Sequence, residues 1–120
     1  MADNVIKTKS FNFALRIIKL FQFLNQEKKE FVLSKQLLRS GTSIGALVRE
    51  SEQAESKKDF IHKLAIAQKE ANETDYWLEL LFQSDYLNET QFKSIKSDIV
   101  EINKILASII ITSKQKLSTT

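Results

Sequence analysis

The chain contains no proline, and its only two glycines, Gly41 and Gly45, lie four positions apart. Proline interrupts an α-helix and glycine weakens it, so a chain almost free of both can form long continuous helices. Leu, Ile, Lys, Glu, Gln and Ala are abundant, and most of them favour helix. With 120 residues the chain is long enough for one domain with its own core. The sequence therefore predicts an all-α fold in a single domain, residues 1–120.

Apolar periodicity predicts four helices at about residues 10–26, 34–51, 56–84 and 88–114, followed by a frayed C-terminal tail. Ser56 with Asp59 and Asn88 with Gln91 resemble capping boxes that open the third and fourth helices. The charged run EKKE, residues 27–30, is interpreted as a solvated turn. The pattern predicts an up-and-down antiparallel four-helix bundle, left-handed, in which the last two helices project beyond the first two.

The first predicted helix is apolar on most of its circumference. One side carries Phe11, Ala14, Ile18 and Phe21, and another carries Phe13, Ile17, Leu20 and Leu24. A helix this apolar is usually covered on more than one side. It is either the central helix of a monomer or a helix shared between its own bundle and another subunit. We favour the second interpretation and expect a homo-oligomer.

Charge is distributed unevenly along the chain. Residues 1–49 hold nine basic and three acidic residues, whereas residues 50–101 hold six basic and twelve acidic residues. In the first helix, Lys9, Arg16 and Lys19 form a polar stripe that predicts binding to the phosphates of RNA or DNA. The alternative is an ordinary solvated basic face. The absence of cysteine excludes disulfides and thiolate metal sites, and no apolar run is long enough to span a bilayer, so we expect a cytoplasmic protein.

The two glycines suggest two different structures. A Walker phosphate loop requires four residues between its glycines, then Lys and Ser or Thr, after a β-strand; here three residues intervene and Ala46 follows Gly45. Glycines at i and i+4 instead give a smooth helical surface for close packing. We expect Gly41 and Gly45 to pack against Tyr76 and Trp77 of a neighbouring helix.

Residues for catalysis or metal binding are few. His62 is the single histidine, and although Asp59 lies three positions before it, a di-iron bundle would need a second histidine. Arg49 lies thirteen positions from His62, which does not match the Arg-x4-6-His motif of helical ribonucleases, and no serine lies in a nucleophile elbow. We expect no catalytic residue, no metal and no cofactor.

Charged residues flank the glycines and recur on the third helix. We predict a polar network formed by Arg39, Arg49, Glu50, Glu70 and Glu73. A partly buried Arg–Glu group commonly serves packing specificity, which is one interpretation of these residues. The other is a small polar pocket at a subunit interface.

Residues 36–81, QLLRSGTSIGALVRESEQAESKKDFIHKLAIAQKEANETDYWLELL, resemble the four-helix-bundle family of bacterial 23S rRNA intervening-sequence proteins. The similarity extends more weakly over nearly the whole chain. Leu47 departs from the family pattern, in which this position is commonly Asn. The positions that match are Arg39, Ser40, Ser43, Ile44, Arg49, Glu50, Phe60, Leu64, Ala67, Glu70, Glu73, Tyr76, Trp77 and Leu78.

This resemblance implies a four-helix bundle that assembles into a ring-like homopentamer without catalytic activity. In build, the family is similar to the accessory variability proteins of diversity-generating retroelements, which form basic pentameric barrels that bind nucleic acid and a reverse transcriptase. The function expected from the sequence is a non-enzymatic oligomer that binds RNA or DNA through its basic N-terminal helices. The alternative is a protein-interaction scaffold that does not bind nucleic acid.

Overall fold

The computed structural model describes the backbone of residues 2–118 and the side chains of residues 5–118. Four α-helices account for nearly all of this range: α1 (Ala2–Gln26), α2 (Leu33–Ser51), α3 (Lys57–Gln83) and α4 (Glu89–Ser118). No strand occurs within residues 2–118. The predicted all-α fold is therefore confirmed. Residue 1 of the predicted domain and residues 119–120 of the predicted tail lie outside the described residues.

Two helix ends differ from the prediction. Helix α1 begins at Ala2 rather than near residue 10, because Ile6 and Ser10 continue the buried positions of Phe13 and Ile17 at helical spacing. Helix α4 continues to Ser118 rather than ending near residue 114, because Leu117 packs against the hydrophobic core. The prediction of a frayed tail is thus wrong for residues 115–118.

The helices form an elongated antiparallel bundle of about 53 × 22 × 20 Å. Each helix packs against the next along the chain, and α1 also contacts α4, which closes the bundle. The helices contain 25, 19, 27 and 30 residues, so α2 alone is markedly short. The predicted overhang of the last two helices is therefore wrong for α1, which is almost as long as α3. Among residues 2–118, no helix has the length and apolar character needed to cross a bilayer.

The core runs along the bundle axis and consists mainly of branched aliphatic side chains. Phe13, Ile17 and Leu24 of α1 meet the apolar positions of the other helices in one continuous cluster. The other helices contribute Leu37, Ile44 and Val48 of α2, Leu64, Ala67, Ala71, Leu78 and Leu81 of α3, and Ile95, Ile99, Ile102, Leu106, Ile109 and Ile110 of α4. Burial at steps of three and four residues explains why periodicity predicted these positions.

The N-termini of α2, α3 and α4 are capped by side chains. Ser56 accepts a hydrogen bond from the Asp59 backbone N–H at 3.0 Å, and Asn88 and Gln91 form reciprocal bonds of 2.8 and 2.9 Å. Both predicted capping interactions are therefore present. Where α1 leads into α2, Glu30 is only 6% exposed and accepts the backbone N–H groups of residues 32–34 at 2.6 to 2.9 Å. The run EKKE thus ends in a buried cap, so its interpretation as a fully solvated turn is wrong at Glu30.

Candidate functional site

The basic stripe predicted on α1 is partly neutralised within the chain. Nζ of Lys9 lies 2.6 Å from Oε1 of Glu101 on α4. The Arg16 guanidinium donates to the Asp98 carboxylate, and its Nη2 also donates to Oγ of Ser94 at 2.8 Å. Two of the three predicted nucleic-acid-binding residues therefore join α1 to α4 and are not freely available as cations.

Lys19 differs from the other two residues. Among the side chains of residues 5–118, no carboxylate lies within 4.0 Å of its ammonium group. Lys19 stands beside Arg16 on the rim of an open cavity of about 400 Å³, which we call the α1–α4 groove. The groove is lined by Arg16, Lys19, Leu20, Phe23, Gln91 and Ile95. It combines a cationic rim with an apolar floor.

The outward face of α1 carries an exposed apolar stripe. Phe11, Leu15 and Ile18 are 46%, 46% and 38% exposed and follow one another at steps of four and three residues. This places them on one face, nearly opposite the buried Phe13 and Ile17. These three side chains form what we call the α1 stripe. Contiguous exposed apolar residues of this kind mark interaction surfaces more often than isolated ones do.

Arg49 lies at the edge of the α1 stripe. Its Cζ atom is 5.1 Å from the centroid of the Phe11 ring, a distance typical of a cation–π contact. Glu50, the next residue, is exposed and forms no ion pair with the side chains of residues 5–118. The structure therefore places both residues outside the polar network to which the sequence assigned them.

The polar network consists of one arginine and two glutamates between α2 and α3. Arg39 donates to Oε2 of Glu70 at 3.2 Å and also to the Glu73 carboxylate. Nε1 of Trp77 donates to Oε1 of Glu73 at 3.3 Å. The bond from Arg39 is the main cause that lowers the pKa of Glu73, and the same bond raises the pKa of Arg39. All these interactions favour the charged forms. Arg39, Glu70 and Glu73 therefore link α2 to α3 electrostatically, and we call this group the ionic clasp.

Beneath this clasp lies a buried hydroxyl pair that sequence reasoning missed. Oγ1 of Thr74 and Oγ of Ser40 are 2.9 Å apart, and neither residue is exposed. Thr74 also donates to the backbone carbonyl of Glu70 at 2.8 Å. The available signal was the position of Thr74, three residues after the apolar Ala71 and four before Leu78. A polar residue at such a core position needs a partner.

Gly41 and Gly45 pack against α1. A Cβ atom added to Gly45 would lie 3.3 Å from the carbonyl oxygen of Ser10, and one added to Gly41 would meet Ile17. The prediction that these glycines face Tyr76 and Trp77 is therefore wrong. Tyr76 is 57% exposed, and Trp77 is half-buried between the core and Glu73. The two rings stack edge to face with centroids 5.2 Å apart.

Residues that could hold a metal are not clustered in the part of the chain that the structure describes. Within it, no group of three or more His, Asp or Glu side chains could hold a metal ion. His62 lies exposed on α3. The arrangement can therefore offer an apolar stripe, a cationic groove and an ionic clasp.

Comparisons with known proteins agree with this architecture. The family model for 23S rRNA-intervening sequence protein matches residues 2–108. A crystal structure of a protein of unknown function from the S23 ribosomal protein family, from Bacteroides thetaiotaomicron VPI-5482, is 63% identical with a TM-score of 0.91. The match covers 92% of this chain and 98% of that one. No curated protein matches. Because the family model spans almost all of the four-helix bundle, the chain belongs to the 23S rRNA-intervening sequence protein family.

Proposed function

We propose that the protein is a non-enzymatic, cytoplasmic helical module that assembles with copies of itself and binds RNA or DNA through the basic side of α1. One observation carries this proposal. From Val5 to Gln26, α1 contains four basic residues and no acidic residue, and its outward face carries the exposed α1 stripe. The exposed apolar side chains of α1 suit self-association, and its basic side chains suit contact with phosphates.

The α1 stripe supports self-association. Phe11, Leu15 and Ile18 are large apolar side chains that the single chain leaves about two fifths exposed or more. Covering them in a subunit interface would remove apolar surface from water, which is the dominant favourable term in most protein association. By its similarity to intervening-sequence proteins, the proposed assembly is a homopentamer.

The rim of the α1–α4 groove supports nucleic-acid binding. Lys19 offers one uncompensated positive charge, and the side chain of Arg16 is 43% exposed although Asp98 neutralises it. A single free cation binds phosphate weakly, but a ring of five chains repeats it five times on one assembly. Multivalent contact of this kind raises the overall affinity without any new contact within one chain.

A second candidate function is a protein-interaction scaffold that does not bind nucleic acid. The ion pairs Lys9–Glu101 and Arg16–Asp98 favour it, because they leave only one free cation of the predicted three. On this alternative, the basic residues hold α1 against α4 and the assembled apolar surface is the functional feature. Binding measurements on the assembled protein distinguish the two functions.

Self-association is tested by multi-angle light scattering at micromolar concentration. We expect a mass several times 13.8 kDa, and five times that value for the pentamer. Leu15→Glu places a charge in the α1 stripe and should reduce the mass to that of one chain. Ile111→Glu is the matched control, since Ile111 is 57% exposed on α4, away from the stripe. A wild-type protein that is a stable monomer would overturn this part of the proposal.

Nucleic-acid binding is tested by fluorescence anisotropy with labelled RNA and DNA at low and high salt. The logarithm of the association constant should fall by roughly 0.7–0.9 per neutralised phosphate for each tenfold rise in salt. Lys19→Glu should weaken binding strongly. Lys58→Glu makes the same charge change at an exposed position in the first turn of α3 and should weaken it less. Absence of binding at low salt would favour the scaffold.

A further inference from the structure

The α1–α4 groove has a feature that simple phosphate binding does not use, namely its apolar floor. Leu20 and Phe23 of α1 are half-buried against the core, and Ile95 of α4 is only 3% exposed. They line the same open cavity as the two cationic side chains and are more buried than these are. Phosphate binding alone requires positive charge and does not require an aromatic ring beside the cations.

The two cationic side chains at the rim, Arg16 and Lys19, differ in how firmly they are held in place. Arg16 is anchored by Ser94, through Oγ at 2.8 Å, and by Asp98, so its guanidinium has a defined place above the groove. Lys19 is free of carboxylates within the described residues and can move to meet an anion. Arg16, Asp98 and Lys19 together carry a net charge of one positive charge. This matches the single negative charge of one phosphodiester.

A polar group stands at the α4 side of the groove. Oε1 of Gln91 accepts the backbone N–H of Asn88 at 2.9 Å as part of the helix cap. Because the cap uses only the amide oxygen, the NH₂ group of Gln91 can donate to a further acceptor. An unpaired base carries such acceptors on its edges.

Resting on the nucleic-acid binding proposed above, we infer that the α1–α4 groove binds one unpaired nucleotide of a single strand, with its base against Phe23 and its phosphate beside Lys19. A duplex keeps the faces of its bases stacked on one another and exposes only their edges, so none of its bases can stack against Phe23. Base–aromatic stacking is a common way in which proteins hold single strands. The groove therefore distinguishes single strands from duplexes.

Self-association leaves this groove accessible. At 100° per residue, the side chains of Arg16 and Phe23 lie about a third of a turn around α1 from the α1 stripe, on the side that faces α4, and Lys19 lies between them and the stripe. Phe11, Leu15 and Ile18 can therefore be covered by another subunit while the groove stays open. The two surfaces can act together in one assembly.

The test compares three unlabelled competitors of equal phosphate number for binding to the assembled wild-type protein: a single strand, the same strand with abasic sites, and a hairpin duplex. Labelled single strand, at about 50 mM salt, is the probe in an anisotropy assay. If bases enter the groove, the abasic strand and the duplex should compete at least about fivefold less well than the intact strand, as stacking of one base predicts.

Phe23→Leu removes the aromatic face but keeps an apolar side chain, so it should lower single-strand affinity to the abasic level. Phe21→Leu is the matched control, because Phe21 is a half-buried aromatic of the same helix outside the groove. Equal competition by intact and abasic strands would overturn the groove inference while leaving nucleic-acid binding in place. Absence of binding by every probe would overturn both. The competitor comparison needs no variant, so it holds even if Phe23→Leu fails to fold.

Discussion

A Cβ atom built on Gly41 would lie 2.8 Å from Cγ1 and 2.9 Å from Cγ2 of Ile17. Real Cβ atoms essentially never approach another heavy atom so closely. Both γ carbons are bonded to the Cβ atom of Ile17, so they cannot swing away as the end of a long side chain can. Ile17 is also completely buried. The close approach of α1 and α2 therefore depends on glycine, which has no side chain, at position 41.

Gly41→Ala should consequently destabilise the protein, although alanine is the better helix former. We expect a loss of about 1–3 kcal/mol from overpacking, partly offset by up to ~1 kcal/mol of helix propensity. Gly41→Leu should be worse, because it adds more atoms at the same contact. Urea or thermal unfolding of the variants measures both effects.

Two further variants test whether contact with Ile17 causes the destabilisation expected for Gly41→Ala. At Gly45 an added Cβ atom would lie 3.3 Å from the nearest atom, the Ser10 carbonyl oxygen, so Gly45→Ala should change stability by less than Gly41→Ala. In an Ile17→Ala background the clash is removed, and Gly41→Ala should then be neutral or stabilising. If Gly41→Ala costs the same with and without Ile17, the contact is not the reason for the glycine.

The sequence predicted that this stretch is a smooth helix surface but not which helix covers it. Periodicity identifies the face of α2 that is buried, whereas α1 and α3 both flank that face in an antiparallel bundle. The choice depends on the rotation of α2 about its axis, which Ile17, Ser10 and the other core residues determine together. A pattern within one helix carries no information about that rotation.

The basic residues of α1 show a second limit of prediction from the sequence. Spacing along α1 correctly placed Lys9 and Arg16 outside the buried face. Their partners Glu101 and Asp98 are more than eighty positions away in the chain. These pairs form only when α1 and α4 take one particular antiparallel register, and the sequence does not reveal that register. By contrast, the starts of α3 and α4 were predictable, because a capping box is formed by residues close together in the sequence.

Glu30 closes the start of α2 with an unusually complete cap. Its two carboxylate oxygens accept three backbone N–H groups of residues 32–34, which would otherwise lack partners in the first turn. Glu30→Ala should therefore cost about 1–2 kcal/mol, the upper range for loss of a helix cap. The matched control is Glu27→Ala, since Glu27 is an exposed carboxylate in the same turn. Equal unfolding midpoints for the two variants would contradict the capping role.

Lys29 occupies a left-handed backbone conformation, with φ of 53°, between α1 and α2. A side chain with a Cβ atom is strained there, whereas glycine is not. Lys29→Gly should therefore stabilise the protein by about 0.5–1 kcal/mol, despite the entropy that glycine adds to the unfolded chain. Lys28→Gly, at the preceding residue without positive φ, should not stabilise it. Chemical denaturation of both variants tests the strain.

The ionic clasp predicts a pH dependence. The hydrogen bond from Arg39 lowers the pKa of Glu73, so the unfolded chain binds the proton more tightly than the folded chain does. The resulting stability is present above the ordinary glutamate pKa of about 4.3 and is lost as pH falls through the lower folded value. Half of the Arg39 side chain is exposed, which limits the effect to no more than about 1 kcal/mol.

Glu73→Gln should accordingly reduce stability at pH 7, and the difference from wild type should shrink as pH falls toward 3. Trp77, the single tryptophan, bonds to Glu73, so its fluorescence should change with the protonation of Glu73 in wild type but not in the variant. Glu50→Gln is the control, because Glu50 forms no ion pair with the side chains of residues 5–118 and should leave both measurements unchanged. A constant stability difference between wild type and Glu73→Gln from pH 7 to 3 would show that Glu73 contributes through packing and not through its charge.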